Sequence, residues 1–224
     1  MSLGAEVSQF EPAEARRMAR QIVFLMAALS TVLGGLYLIG LVGKLIVDGT
    51  VHSSSSPAVQ MVSAVVALLW DLALLVLFVA LRWQTAPKYA VFTELAVVFM
   101  ALVCVSSSIN WFVQLAVLPG IVQRGDASLV ALVDVHSPTS ITYAVEHLGW
   151  GIFYGLATIF MAIALGGARL ERWIAGLFIF GGALSLLHVI GIASANSAIG
   201  DLGYLAWGVL LPITTTLLAV RFRR

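Results

Sequence analysis

Charge is what this chain has least of. Asp, Glu, Lys and Arg make up 10% of its 224 residues, where soluble domains carry about 25%. A soluble helical core of this size shows polar faces alternating with apolar ones, yet stretches such as Ala64–Leu69 and Leu72–Leu81 are apolar all round. Both observations exclude an ordinary water-soluble domain. Cysteine is nearly absent too. Cys104 is the single one, which rules out an intrachain disulfide and any CxxC redox or zinc motif. No basic stripe interleaves with aromatics, so nucleic acid is not an expected partner. A cleavable signal peptide is not expected either, because residues 1–18 are polar and charged and the first apolar run is too long. Pro12 followed by Ala13–Arg20 reads as a short interfacial helix within a cytoplasmic segment over 1–20. An inverted repeat of two three-helix halves is missing, so residues 1–224 read as one domain.

What the chain does have is six long apolar runs, at 21–47, 58–82, 89–118, 141–166, 172–194 and 201–222. Each exceeds the ~20 residues needed to cross a hydrocarbon core of about 30 Å. The expected fold is an all-α polytopic bundle of six transmembrane helices. Ten of the twelve basic residues then fall on one side: Arg16, Arg17, Arg20, Arg82, Lys88, Arg169, Arg172, Arg221, Arg223 and Arg224. Lys44 and Arg124 fall on the other. That asymmetry puts both termini in the cytoplasm and suits anionic inner-leaflet lipid. The outer connections include a flexible polar loop through Ser53–Ser56. Another runs over 119–140, where Pro119-Gly120 ends the third helix. Ser128–Val135 inside it is either an interfacial lid or a connection packed on the bundle. Pro212 should kink the last helix, with Thr214, Thr215 and Thr216 helping to satisfy its backbone. Gly151, Gly155, Gly181, Ser185 and Gly191 are small-residue helix contacts, which also allow a homo-oligomer.

Polar residues inside the spans are costly and each asks for a reason. Asn110 and Gln114 sit four apart near the outer end of the third helix, after Ser106 and Ser107. Glu146 and His147 lie two turns into the fourth, His188 lies two turns from the outer end of the fifth, and Tyr204 opens the sixth. All converge near the outer face, with Lys44, Asn196 and Asp201. Glu146 is about 100° around the helix from His147, so one faces the centre and the other a flank. Asp71 and Glu94 stand apart from this group, on antiparallel neighbours and within about two turns of each other. Glu94 has Arg82 and Lys88 within reach, while Asp71 has no basic neighbour in sequence.

Several readings of this group remain open. Its members hold helices in register, or they line a pocket for a small amphipathic or lipid-like molecule, made of Asn110, Trp111, Gln114, Tyr143, Glu146, His147, Trp150, His188 and Tyr204. Alternatively, Glu146 with His147 or His188 is the acid and base of an intramembrane enzyme, since a shielded carboxyl can exchange protons near neutrality. Asp71 and Glu94 are candidates for a proton or cation path in a transporter. No cofactor is expected. His147 and His188 as axial haem ligands are opposed by the 8–10 Å spacing of adjacent helices, and a metal completed by Glu146 or Asp201 is a minor alternative.

Asp71-Leu-Ala with Arg82, Glu94, His147-Leu-Gly149, Phe153-Tyr-Gly-Leu156 and the basic hairpin through Arg169, Arg172 and Trp173 into Gly181-Gly182 resemble a set of uncharacterised bacterial six-helix membrane proteins, a domain-of-unknown-function family. The resemblance covers about two thirds of the chain. It implies a bacterial inner membrane and no known reaction, and it assigns no functional residues.

Overall fold

The computed structural model describes residues 12–48 and 57–223, and ten α-helices form among them. They are α1 (Pro12–Asp48), α2 (Pro57–Arg82), α3 (Ala90–Ala116), α4 (Leu118–Gln123), α5 (Ala127–Val133), α6 (Ile141–His147), α7 (Tyr154–Ala164), α8 (Arg169–Ala193), α9 (Ser197–Gly200) and α10 (Leu211–Phe222). Two π-helical turns, Leu148–Phe153 and Tyr204–Leu210, join α6 to α7 and lead into α10. There is no strand among the described residues. The Ser53–Ser56 loop lies outside them.

Six stretches are long and apolar enough to cross a membrane: Ala13–Val47, Met61–Arg82, Pro87–Gln123, Ile141–Ala164, Arg169–Ala193 and Ser197–Phe222. The chain is a membrane-type helical bundle. Three expectations about its elements need correction. The interfacial helix is not separate, because nothing between Ala13 and the apolar run breaks a helix and α1 runs on unbroken. The third span does not stop at Pro119-Gly120. It turns at Val117, and Pro119 sits in the first turn of α4, where its missing N–H costs nothing. Pro212 likewise sits in the first turn of α10, and the irregularity is the π turn before it. The three threonines after it do donate to backbone carbonyls of the same span. Thr214 donates to the Leu210 carbonyl at 2.7 Å and Thr216 to the Pro212 carbonyl at 2.7 Å.

Each span packs on the one before and the one after it, and the last packs on α1, so six antiparallel spans close a ring in sequence order. The ring's interior is filled by Leu74, Leu77 and Phe78 from α2, Met100 from α3, Tyr154 and Met161 from α7, Phe178 from α8 and Leu218 from α10. Phe78 and Phe178 meet across it with centroids 5.8 Å apart. Small residues bring the fourth and fifth spans together: a Cβ on Gly182 would lie 2.7 Å from the Gly155 carbonyl oxygen. Gly155, Gly181 and Gly182 are buried within this one chain.

The end that carries both termini is stapled by polar groups. Gln84 Nε2 donates to the Arg16 carbonyl at 2.9 Å, Arg82 pairs with Glu94 at 2.6 Å, and Arg221 pairs with Glu171 at 2.7 Å. In the turn before α8, Gly167 adopts φ +133°, a conformation that L side chains rarely take.

Candidate functional site

Alternate helices of an up-and-down ring run the same way, so α2, the fourth span and the sixth span descend in parallel from the end opposite the termini. Each carries a tryptophan at one level: Leu68-Leu-Trp70-Asp71, Leu148-Gly-Trp150-Gly151 and Leu205-Ala-Trp207-Gly208. The three indoles form a buried column on the ring axis. Trp70 and Trp150 have centroids 5.7 Å apart, Trp150 and Trp207 5.8 Å, and Tyr37 of α1 lies 5.6 Å from Trp70. A Leu-x-Trp pattern shared by alternate spans is the signal of this layer in the sequence. Both π turns contain one of these tryptophans. A π turn widens the helix by one residue and recurs at functional sites.

On one side of the column lies an acidic cluster from three spans. Asn110 Nδ2 donates to Glu146 Oε2 at 2.7 Å, and Trp150 Nε1 donates to Ser107 Oγ at 3.4 Å. Ser107 and Glu146 are polar groups beside Asp71, and Ser107 also stands beside Glu146. Asp71 is only 1% exposed, and neither of its carboxyl oxygens has a hydrogen-bond partner. Asn110 Oδ1 and the Trp70 N–H are also buried without partners. No arginine, lysine or histidine pairs with Asp71 or Glu146 among the described residues. Asp71 therefore does not stand apart from the outer group, as its depth along α2 suggested. It belongs to that group through Ser107. Glu94 does not join it, because Arg82 takes up its carboxylate.

On the other side, between the fourth, fifth and sixth spans, two imidazoles form a wire. His188 Nδ1 bonds the Gly200 carbonyl, and His188 Nε2 lies 2.8 Å from His147 Nδ1. A carbonyl only accepts, so neutral His188 carries its proton on Nδ1. Its Nε2 then accepts from the Nδ1–H of His147. The Trp207 ring closes over His188 at 4.9 Å, Tyr143 stands edge-on to His147 at 3.9 Å, and Tyr204 meets Trp207 at 5.9 Å. Glycine at 203 leaves the space for this packing, since a Cβ there would overlap both Trp207 and His188. Glu146 and His147 do diverge, but neither is left at a lipid-facing flank. One engages α3 and the other α8.

The imidazoles bond directly to each other, with centroids 4.7 Å apart. That arrangement does not fit a macrocycle held between them. No group of three or more His, Cys, Asp or Glu is placed to hold a metal ion among the described residues.

Gln114 turns out to hold the loop between the third and fourth spans. Its Nε2 donates to the Val133 carbonyl at 2.7 Å and its Oε1 accepts the Val135 N–H at 3.3 Å, while Thr142 also donates to Val133 at 2.8 Å. The segment 128–135 is thus tied down at its end, with α5 on the outside. Beyond it, Lys44 Nζ meets His136 Nε2 at 3.1 Å and His136 Nδ1 meets Asp134 at 3.1 Å. A lysine only donates, so His136 accepts at Nε2 and donates from Nδ1. That imidazole bond holds the Asp134 carboxyl below the usual range, with partial burial opposing it. Sequence reasoning missed His136 because it lies in a connection.

No family model, curated protein or solved structure matches the chain.

Proposed function

We propose that the chain is a multi-pass protein of a bacterial inner membrane, with its basic, terminus-bearing end in the cytoplasm. Toward the opposite, outer face it binds a small amphipathic molecule at the acidic and aromatic centre and carries it, using Asp71 and Glu146 to take up a proton. The carrying observation is the carboxyl pair. Asp71 lies buried and Glu146 half-buried, on different spans and with no basic partner, and a low-dielectric interior does not hold two uncompensated negative charges. A shared proton, or the positive group of a ligand, meets that need. The tryptophan column beside the pair offers a flat, polarisable wall to an apolar body. The basic residues at the terminus-bearing end support the orientation.

The acid–base enzyme reading has less support. Glu146 is turned to Asn110, and the histidine wire runs away from it to the Gly200 carbonyl, so acid and base do not share a substrate position.

Two measurements on the purified protein test the proposal. Infrared difference spectra at neutral pH should show a protonated carboxyl band that Asp71→Asn or Glu146→Gln removes. Native mass spectrometry from mild detergent should show a reproducible adduct that the same substitutions weaken. A bare mass together with no protonated carboxyl would sink the reading.

A further inference from the structure

Arginines at the terminus-bearing end fall into two groups. Arg82 and Arg221 are matched, by Glu94 at 2.6 Å and Glu171 at 2.7 Å. Arg16, Arg17, Arg20, Arg169, Arg172 and Arg223 meet no carboxylate among the described residues, and only Arg17, Arg20 and Arg223 of these come together. These three line one cleft of about 430 Å³ between the start of α1 and the end of α10. Gln21, Phe24, Leu25 and Phe222 complete its wall.

The cleft is graded along the bundle axis. Arg17, Arg20, Gln21 and Phe24 recur at the spacing of one helix face. Phe24 lies about 10 Å deeper in the span than Arg17, at ~1.5 Å per residue. Leu25, 56% exposed, opens that deeper part sideways to where lipid chains lie. Three guanidinium groups with no carboxylate around one hollow call for a multiply accepting anion, and arginine forks match phosphate oxygens. The apolar lower wall calls for a hydrocarbon chain attached to that anion. Basic pockets between membrane helices bind lipid headgroups for these reasons.

We propose that this cleft is a binding site for an anionic, phosphate-bearing lipid. Its phosphate sits among Arg17, Arg20 and Arg223. The Gln21 amide donates to an ester carbonyl, and the first part of an acyl chain lies on Phe24 and Leu25. Such a lipid bridges the first and last spans. The site is independent of the buried acids.

The test uses the full chain in mild detergent, with phosphatidylglycerol, phosphatidylcholine or inorganic phosphate added. Native mass spectrometry and thermal melting are the readouts. Phosphatidylglycerol should bind one to one and raise the melting temperature. The triple variant Arg17→Gln/Arg20→Gln/Arg223→Gln should bind it about 100-fold more weakly, at about fivefold per side chain. The control Lys88→Gln/Arg169→Gln/Arg172→Gln removes equal charge away from the cleft and should bind as wild type does. If the triple variant does not fold, Arg223→Gln alone, at an exposed position, should weaken binding about fivefold. Equal losses in the cleft and control variants would overturn the site in favour of general attraction. So would phosphatidylcholine binding as strongly as phosphatidylglycerol. Inorganic phosphate giving the same melting shift would overturn the lipid in favour of a soluble anion.

Discussion

Four carboxyl groups in this bundle have the same chemistry and two different situations. Glu94 and Glu171, at the terminus-bearing end, each have an arginine within 2.6–2.7 Å. Asp71 and Glu146, at the ring's centre, have none. Glu94 is exposed and Glu171 half-buried, and with an arginine beside each they are cheap to keep. Buried acids without a cation are expensive and persist only where something else accounts for the cost. The contrast teaches that an ion pair here marks structure, while the lack of one marks the candidate site.

Breaking the contrast at its expensive end should have the largest effect. Asp71→Asn keeps the shape of the protonated carboxyl but cannot exchange its proton, so proton uptake at the centre should be lost while stability in detergent changes by less than about 1 kcal/mol. A variant that is both less stable and still active would show that Asp71 serves only packing. Next, Asn110→Leu takes away the amide donor to Glu146 and should cost about 1–2 kcal/mol, the upper part of the range for polar contacts between membrane helices. Thermal melting in detergent measures both.

At the cheaper end, Glu171→Gln disrupts a half-buried pair with Arg221 and should cost about 1 kcal/mol. Asp134 gives a pH version of the same comparison. Its carboxyl titrates below the usual value because His136 holds the ionised form. The stability it lends is therefore complete above the ordinary carboxylate value of about 4 and is lost as pH falls through the lowered one. The protection of the Val135 amide relative to its intrinsic exchange rate should stay flat from pH 7 to 5 and fall only below about pH 4, and Asp134→Asn should abolish that step. Smallest of all, Glu94→Gln, at a pair with side chains 43% and 55% exposed, should change melting by less than about 0.5 kcal/mol.

The spans were legible because a hydrocarbon solvent demands uninterrupted apolar helices, and a run such as 172–194 has no other reading. Glu146, His147, His188 and Asn110 were legible for the complementary reason, as polar residues in apolar runs. Asp71 was misplaced because depth counted along one helix says nothing of how neighbouring helices are staggered. Gln114 looked like a wall residue, since its real partners, Val133 and Val135, reach it only when the following loop folds back. The π turns left no trace in hydropathy, which averages over the one extra residue that each contains.

Ring closure has a consequence for how this protein is made. Five of its six helix interfaces join neighbours in the chain and can form hairpin by hairpin as the spans leave the insertion machinery, since local contacts form early. The sixth joins α1 to α10, for instance through the Thr31 and Thr215 hydroxyls, 3.0 Å apart and 184 residues distant in sequence. Until the sixth span arrives, the face of α1 that meets α10 stays uncovered, so the circle is closed by a single long-range zippering step.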